Sequence, residues 1–208
     1  MAREQRAESG QIIVNPVITI SRSMGCGGLV VARMLADDLG FSLWDRELID
    51  AMAASSTMPP EVVEAFDERT ISEVQLLVYA CLGRYELTGF LYMKHLSRIV
   101  AAIASVGNAI ILGRGVNFLL PDALNVRLDA SLEARIANMI KFEGDDRHAA
   151  EEKIRRSDKD RDRFLADHFG KGCVRDFNFD VSLWMDNLNP DCAVQIIKAA
   201  YKGFYQSR

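Results

Sequence analysis

The segment 25–28, with the sequence Gly-Cys-Gly-Gly, has the residue types needed to bind phosphate. It follows the apolar run 17–21 and precedes the amphipathic stretch 29–39, which predicts a buried strand, a tight turn and a helix. Glycines let backbone N–H groups converge on an anion, and the next helix adds the positive end of its dipole. The usual phosphate loop continues with Lys and then Ser or Thr, whereas Gly28 and Leu29 stand here. A phosphate role and a purely structural turn are both compatible with this pattern.

Two further polar segments follow predicted strands. Asp45 and Arg46 come after the run 41–44, and Arg114 comes after the run 109–112 with a glycine on each side. In an open parallel sheet, ligands bind at the carboxyl ends of the strands. We therefore favour a binding role for Arg114, because the flanking glycines let a ligand approach its guanidinium. Asp45 is suited either to hold Mg²⁺ through water or to cap the next helix.

Short β-branched runs alternate with helix-length segments along most of the chain. This alternation predicts parallel crossover connections and an α/β fold whose sheet is covered by helices on both faces. The predicted strands are 17–21, 41–44, 109–112, 125–128 and 180–184, and the clearest helical periodicity lies in 29–39, 91–105, 131–142 and 192–204.

Two segments interrupt the alternation. The first, 57–106, begins with a helical pattern that lacks a strand partner, and we interpret it as a helical insertion over one end of the sheet. The second, 144–172, is dense in charge. Such a run is usually a solvated helix with many salt bridges, and a mobile arginine-bearing lid over a phosphate site is the alternative. We expect a single domain, 1–208, whose core comprises 16–56, 107–143 and 173–204.

The bulk composition is that of an ordinary globular protein, with 49% hydrophobic and 26% charged residues. A net charge of −4 argues against broad nucleic-acid binding. The polar N-terminus lacks the apolar core of a signal peptide, and no apolar run approaches a membrane span. We therefore expect a cytoplasmic protein with neither a nucleic-acid nor a membrane partner. The scattered cysteines indicate reduced thiols rather than a zinc or disulfide framework; they are Cys26, Cys81, Cys173 and Cys192.

In their order along the chain, these motifs resemble the cytidylate kinase-like branch of the P-loop nucleoside monophosphate kinases. The resemblance runs from about residue 17 to residue 201 and implies a P-loop kinase fold: a five-stranded parallel sheet, a helical monophosphate-binding insertion and a lid. The motifs are Ile18-Thr19-Ile20-Ser21-Arg22, Gly25-Cys26-Gly27-Gly28, Asp45-Arg46-Glu47, Gly113-Arg114-Gly115, Val126-Arg127-Leu128-Asp129-Ala130-Ser131, Glu133-Ala134-Arg135 and the run 156–163.

The resemblance also implies roles for individual residues. The residues predicted to bind the phosphate donor are Arg22, Gly25, Cys26, Gly27 and Gly28. The resemblance implies this role for the glycines, and Arg22 is our candidate for partial replacement of the missing lysine. The implied catalytic residues are Arg114, Arg156 and Arg163, and the implied acceptor-binding residues are Asp45, Arg46, Arg114, Arg135 and Asp160. The chain departs from cytidylate kinases at Gly115, where an acidic residue is usual.

The predicted function is an ATP-dependent phosphotransferase acting on a nucleoside monophosphate, with CMP or dCMP, ATP and Mg²⁺ suggested by the resemblance. Phosphoryl transfer asks the protein mainly for alignment and fixed positive charge, which arginines on a closing lid supply. Two alternatives stay open: a noncatalytic nucleotide sensor that has kept the pocket, and a kinase of another small phosphate acceptor. The absent loop lysine is the best support for the sensor.

Overall fold

The computed structural model describes residues 5–6, 12–13, 15–45, 89–170 and 179–205. Two short strands, β1 (Gln5–Arg6) and β2 (Ile12–Ile13), pair in antiparallel fashion. The main sheet has five parallel strands in the order β4-β5-β3-β6-β7, which confirms the predicted fold class. Its strands are β3 (Val17–Arg22), β4 (Ser42–Trp44), β5 (Ala109–Leu112), β6 (Leu124–Asp129) and β7 (Val181–Trp184).

Helices follow the strands and return the chain to the start of the next one. For every strand and helix that the sequence predicted, both observed ends lie within two residues of the predicted ones. Within the described ranges, no helix is long and apolar enough to cross a lipid bilayer. The helices are α1 (Gly28–Leu39), α2 (Gly89–Val106), α3 (Val116–Leu119), α4 (Leu132–Glu143), α5 (Arg147–Phe169) and α6 (Pro190–Tyr205).

The two faces of the sheet pack against different helices. Alternate residues of a strand point to opposite faces, so β3 sends Val17 to one side and Ile18 to the other. The Val17 face packs against α2 through Ile99 and Ile103. The Ile18 face packs against α1 and α6 through residues that include Leu35. Helices therefore cover the sheet on both faces, as the alternation of elements predicts.

The two predicted insertions are described to different extents. Residues 57–88 lie outside the described ranges, and the remainder of the predicted insertion, from residue 89 onward, forms α2 on one face of the sheet. The segment 144–172 is described as far as residue 170 and contains α5. A small apolar cluster, in which Ile136 and Met139 meet Ala150 and Ile154, joins α5 to α4.

Candidate active site

The glycine-rich loop lies between β3 and α1, at the carboxyl edge of the central strand. Gly25 and Gly27 both have φ near +81°, in the left-handed region that glycine adopts most readily. A Cβ at Gly25 would lie 2.8 Å from the Arg135 carbonyl oxygen, so only glycine allows this approach to α4. A Cβ at Gly27 would meet nothing within 4 Å. The loop is therefore packed against α4 on one side and open at Gly27.

Two side chains of α4 hold the loop by its carbonyl oxygens. The Arg135 Nε donates to the Met24 oxygen at 2.6 Å, and the Asn138 Nδ2 donates to the Gly25 oxygen at 2.8 Å. A trans peptide places its N–H opposite its C=O. The Gly25 N–H, which follows the Met24 carbonyl, therefore points away from α4, whereas the Cys26 N–H donates to the Ser23 oxygen at 3.4 Å.

Cys26 anchors the loop to the sheet. Its thiol is buried and donates to the Leu128 carbonyl oxygen at 3.6 Å. Burial raises the pKa of the Cys26 thiol, so it stays protonated at neutral pH. The side chain thus packs the loop against β6 and is not available to a phosphate.

Arg22 is the last residue of β3, and its side chain lies against the glycine loop. A Cβ built at Gly28 would lie 2.7 Å from the Arg22 Cβ and 2.9 Å from its Cγ. A Cβ built at Gly113 would lie 2.7 Å from the Arg22 Nη1. The arginine stem therefore crosses Gly28, and its guanidinium reaches the carboxyl end of β5.

The helix α5 lies over this edge of the sheet. Asp158 accepts two hydrogen bonds from Arg135, each of 2.9 Å, and the Arg161 Nη1 donates to the Ser23 Oγ at 3.1 Å. Farther along, a Cβ at Gly115 would lie 2.6 Å from the Phe169 ring and 3.1 Å from Leu165. One face of α5 therefore contacts α4, the glycine loop and the loop after β5 in succession.

The Ser23 hydroxyl accepts hydrogen bonds from two guanidinium groups. In addition to Arg161, the Arg127 Nη2 donates to its Oγ at 2.6 Å, and the same nitrogen contacts the Asp129 Oδ2 at 2.6 Å. Burial opposes ionisation of Asp129, but its hydrogen bond and charge interaction with Arg127 outweigh that effect and lower its pKa. Asp129 therefore stays ionised to lower pH than an ordinary aspartate.

The turn after β5 has an unusual backbone. Gly113, Arg114 and Gly115 all have positive φ, and Arg114 is one of two non-glycine residues with positive φ within the described ranges. A left-handed conformation costs a non-glycine residue about 1–2 kcal/mol. The Arg114 guanidinium lies 5.7 Å from the centre of the Phe164 ring on α5. The strained turn thus presents Arg114 towards the covering helix, and such strain is often retained for function.

The structure brings some of the predicted site residues together and separates others. Arg22, the segment 25–28, Arg114 and Arg135 lie at the carboxyl edge of the sheet, where Asp45 follows β4. Arg46 lies outside the described residues. Arg156 and Asp160 point into solvent, with side chains 84% and 64% exposed and 4.0 Å apart, and Arg163 is also exposed. Their implied contacts with substrate stay predictions that would require α5 to turn.

Five polar residues of this site were missed by sequence reasoning as functional candidates. Arg127 and Asp129 are two positions apart on β6, so they share a sheet face, which is a period-two signal. Asp158 and Arg161 lie between Ile154 and Leu165 on one face of α5. The helical spacing of the two apolar residues would have placed Asp158 and Arg161 on the same inward face. The five residues are Ser23, Arg127, Asp129, Asp158 and Arg161.

The glycine loop differs from the usual phosphate loop at the position of the magnesium ligand. Leu29 occupies the position where a phosphate loop carries its magnesium-binding hydroxyl. Across the described part of the chain, no cluster of three His, Cys, Asp or Glu side chains is suited to hold a metal ion. The described residues therefore form no site that would hold a metal ion by three protein ligands, whereas Mg²⁺ at a phosphate site is usually held by one or two carboxylates together with the substrate phosphates.

A parallel sheet of this strand order, with a glycine loop after its central strand, defines a P-loop kinase fold. Residues 17–187 match the model of the cytidylate kinase-like family, and the chain belongs to that family. A comparison with curated proteins gave no match.

Three solved structures of low sequence identity are similar to this chain, and the first of them has a TM-score high enough to indicate a shared fold. One is an uncharacterized protein from Eubacterium ventriosum, 18% identical, with a TM-score of 0.59 over 90% of this chain and 98% of that chain. Shikimate kinase from Bacteroides thetaiotaomicron is 12% identical, with a TM-score of 0.45 over 90% and 98% of the two chains. Shikimate kinase from Acinetobacter baumannii, in complex with shikimate, is 14% identical, with a TM-score of 0.48 over 93% and 94%.

We expect Arg135→Met to destabilise the fold by about 2–3 kcal/mol, because it leaves the Met24 carbonyl without its charged donor and leaves Asp158 with only the longer contact to Arg161. The Arg135 side chain is only 7% exposed. Urea unfolding measures the change. Arg147→Met is the matched control, since Arg147 also bridges α5 to α4, through Glu133, but on an exposed surface where ion pairs contribute little. Equal changes in the two variants would contradict a special role for Arg135.

Proposed function

We propose that this protein is an ATP-dependent phosphotransferase whose acceptor is a nucleoside monophosphate, with CMP and dCMP as the first candidates. The observation that carries the proposal is the contact between α5 and the glycine loop, where Arg161 donates to Ser23. A cation held beside a phosphate-binding turn suits phosphoryl transfer, because the transition state spreads negative charge over oxygen atoms. Membership of the cytidylate kinase-like family supports the same chemistry.

The donor triphosphate is proposed to bind at 25–28. Three features support this: the open space at Gly27, the carbonyl groups hydrogen-bonded to α4, and the N-terminus of α1, whose N-cap residue Gly27 makes no side-chain hydrogen bond. The first-turn N–H groups of a helix have no intrahelical partners and attract anions. These donors would hold the phosphates of ATP without moving.

The acceptor is proposed to bind beside the turn 113–115. Arg114 and Asp45 follow neighbouring strands, and their turns therefore lie at one edge of the sheet. The guanidinium of Arg114 has the planar fork that suits a phosphate group. In the proposed reaction, an acceptor phosphate oxygen attacks the γ-phosphorus, and the bond to the β,γ-bridging oxygen breaks, which leaves ADP. The arginines align the two phosphates and offset their charge.

Product analysis tests the proposal directly. The full-length protein is incubated with Mg²⁺ and ATP and with a panel of nucleoside monophosphates and other small phosphate acceptors, and ADP and the phosphorylated product are measured. Phosphorylation of CMP or dCMP supports the proposal. Phosphorylation of another acceptor alone would overturn the acceptor assignment, and ATP binding without any turnover would favour the nucleotide sensor, which the missing loop lysine also favours.

We expect Arg161→Met to lower the rate of phosphoryl transfer about tenfold to a hundredfold, because a charge-assisted contact near the reacting phosphates is lost. Arg163→Met is the comparison on the same helix, since the family resemblance implies a catalytic role for Arg163 whereas its side chain is exposed here. Steady-state rates at saturating ATP compare the two. A larger loss in Arg163→Met would instead support the role that the family resemblance implies for that residue.

We expect Arg114→Gly and Arg114→Ala to differ in stability but not in acceptor use. Both remove the guanidinium, so acceptor use falls about tenfold or more in each. Alanine keeps the left-handed strain of about 1–2 kcal/mol, whereas glycine relieves it. Acceptor KM and thermal melting separate the two effects. Full acceptor use in the glycine variant would exclude Arg114 from the acceptor site.

A further inference from the structure

We propose that Arg22 supplies the cation that binds phosphate at the glycine loop. Arg22 stands before the loop, whereas the usual lysine stands after it. This inference rests on the proposed function, because it assumes that the loop binds a nucleoside triphosphate. It goes beyond it by assigning the residue that binds the outer phosphates and by explaining why glycine occupies position 28.

The spacing of Arg22 and Gly28 is the first argument. In the phosphate-loop pattern, the first glycine and the lysine lie six residues apart. When the last loop glycine is set at Gly27, the lysine position falls on Gly28 and the first-glycine position falls on Arg22. The two residue types are thus exchanged: the long cation stands where the pattern has glycine, and glycine stands where the pattern has the cation.

The second argument is steric. A Cβ at position 28 would lie 2.7 Å from the Cβ of Arg22, far inside van der Waals contact. The obstructing atom is next to the backbone, so rotation of the arginine side chain would not remove the clash. Only one of the two positions can therefore carry a side chain while the backbone keeps this geometry. An arginine at position 22 requires a glycine at position 28.

The third argument is the path of the side chain. The stem of Arg22 crosses the first residue of α1 and brings Nη1 to Gly113, where a second Cβ would lie only 2.7 Å from that nitrogen. The guanidinium therefore occupies the gap between the glycine loop and the turn that carries Arg114. A cation in that gap lies between the proposed donor and acceptor sites, where the transferred phosphoryl group would pass.

The test exchanges the two residues back. Calorimetric titration with ATP in the presence of Mg²⁺ compares the parent protein with Arg22→Met, Gly28→Lys and two double variants, Arg22→Gly/Gly28→Lys and Arg22→Ala/Gly28→Lys. We expect Arg22→Met to weaken ATP binding about tenfold to a hundredfold, through loss of charge-assisted contacts. Gly28→Lys alone should also weaken binding, because the new Cβ displaces Arg22.

The double variants distinguish this exchange from a general charge effect. The variant with Gly at position 22 and Lys at position 28 should regain most of the parent affinity, because the clash is gone. The variant that keeps Ala at position 22 retains the obstructing Cβ and should not. Arg33→Met, at an exposed position on α1, controls for loss of net charge and should bind ATP like the parent. Circular dichroism and thermal melting confirm that each variant is folded, and Arg22→Gln replaces Arg22→Met if the latter does not fold.

The outcomes separate this inference from the proposed function. Unchanged ATP affinity in Arg22→Met would overturn the inference and leave the proposed function standing, as long as the parent binds ATP. Equal affinity of the two double variants would overturn the steric exchange. A parent protein that does not bind ATP would overturn both the inference and the proposed function.

Discussion

The geometry of the site depends on the hydrogen bonds that the Arg135 guanidinium donates. Its Nε fixes the Met24 carbonyl of the glycine loop, and its two terminal nitrogens bind Asp158 of α5. One nearly buried cation therefore sets both the orientation of the loop and the position of the covering helix. Since charge-assisted hydrogen bonds in partly buried surroundings are strong, loop and helix are mechanically linked. A movement of α5 that broke this pair would release the loop carbonyl at the same time.

Three of the arginines near the loop form ion pairs in this conformation. Three arginines near the loop are matched by three aspartates, since Arg127 contacts Asp129, Arg135 contacts Asp158, and Arg161 contacts both Asp158 and Asp162. An incoming phosphate would have to compete with carboxylates for these guanidinium groups. Arg161 is the easiest to redirect, because its contacts to both aspartates are 3.3 Å long, compared with 2.6 Å for Arg127 to Asp129. The ion pairs that position the arginines thus also oppose the binding of a phosphate, which has to replace the aspartates.

The fold could be predicted from the sequence, whereas the inward face of α5 could not. The strands are dense apolar runs, and α1, α2 and α6 carry apolar stripes, so periodicity fixes both their type and their orientation. After Ile154, α5 is dominated by charge until Phe164, and arginines occur at several angles around it. Each residue turns an α-helix by about 100°, so Arg161 and Arg163 lie on nearly opposite faces. Composition alone does not decide between them.

The missing loop lysine illustrates a more general limit of motif comparison. Compared position by position, the chain has lost a cation at residue 28 and gained an unrelated arginine at residue 22. In three dimensions the two positions share one space, since their Cβ atoms would be 2.7 Å apart. The residue at position 22 therefore limits which residue fits at position 28, and the two differences from the pattern have to be interpreted together. A glycine at the lysine position does not by itself indicate lost chemistry, because the side chain that excludes the lysine carries the same charge.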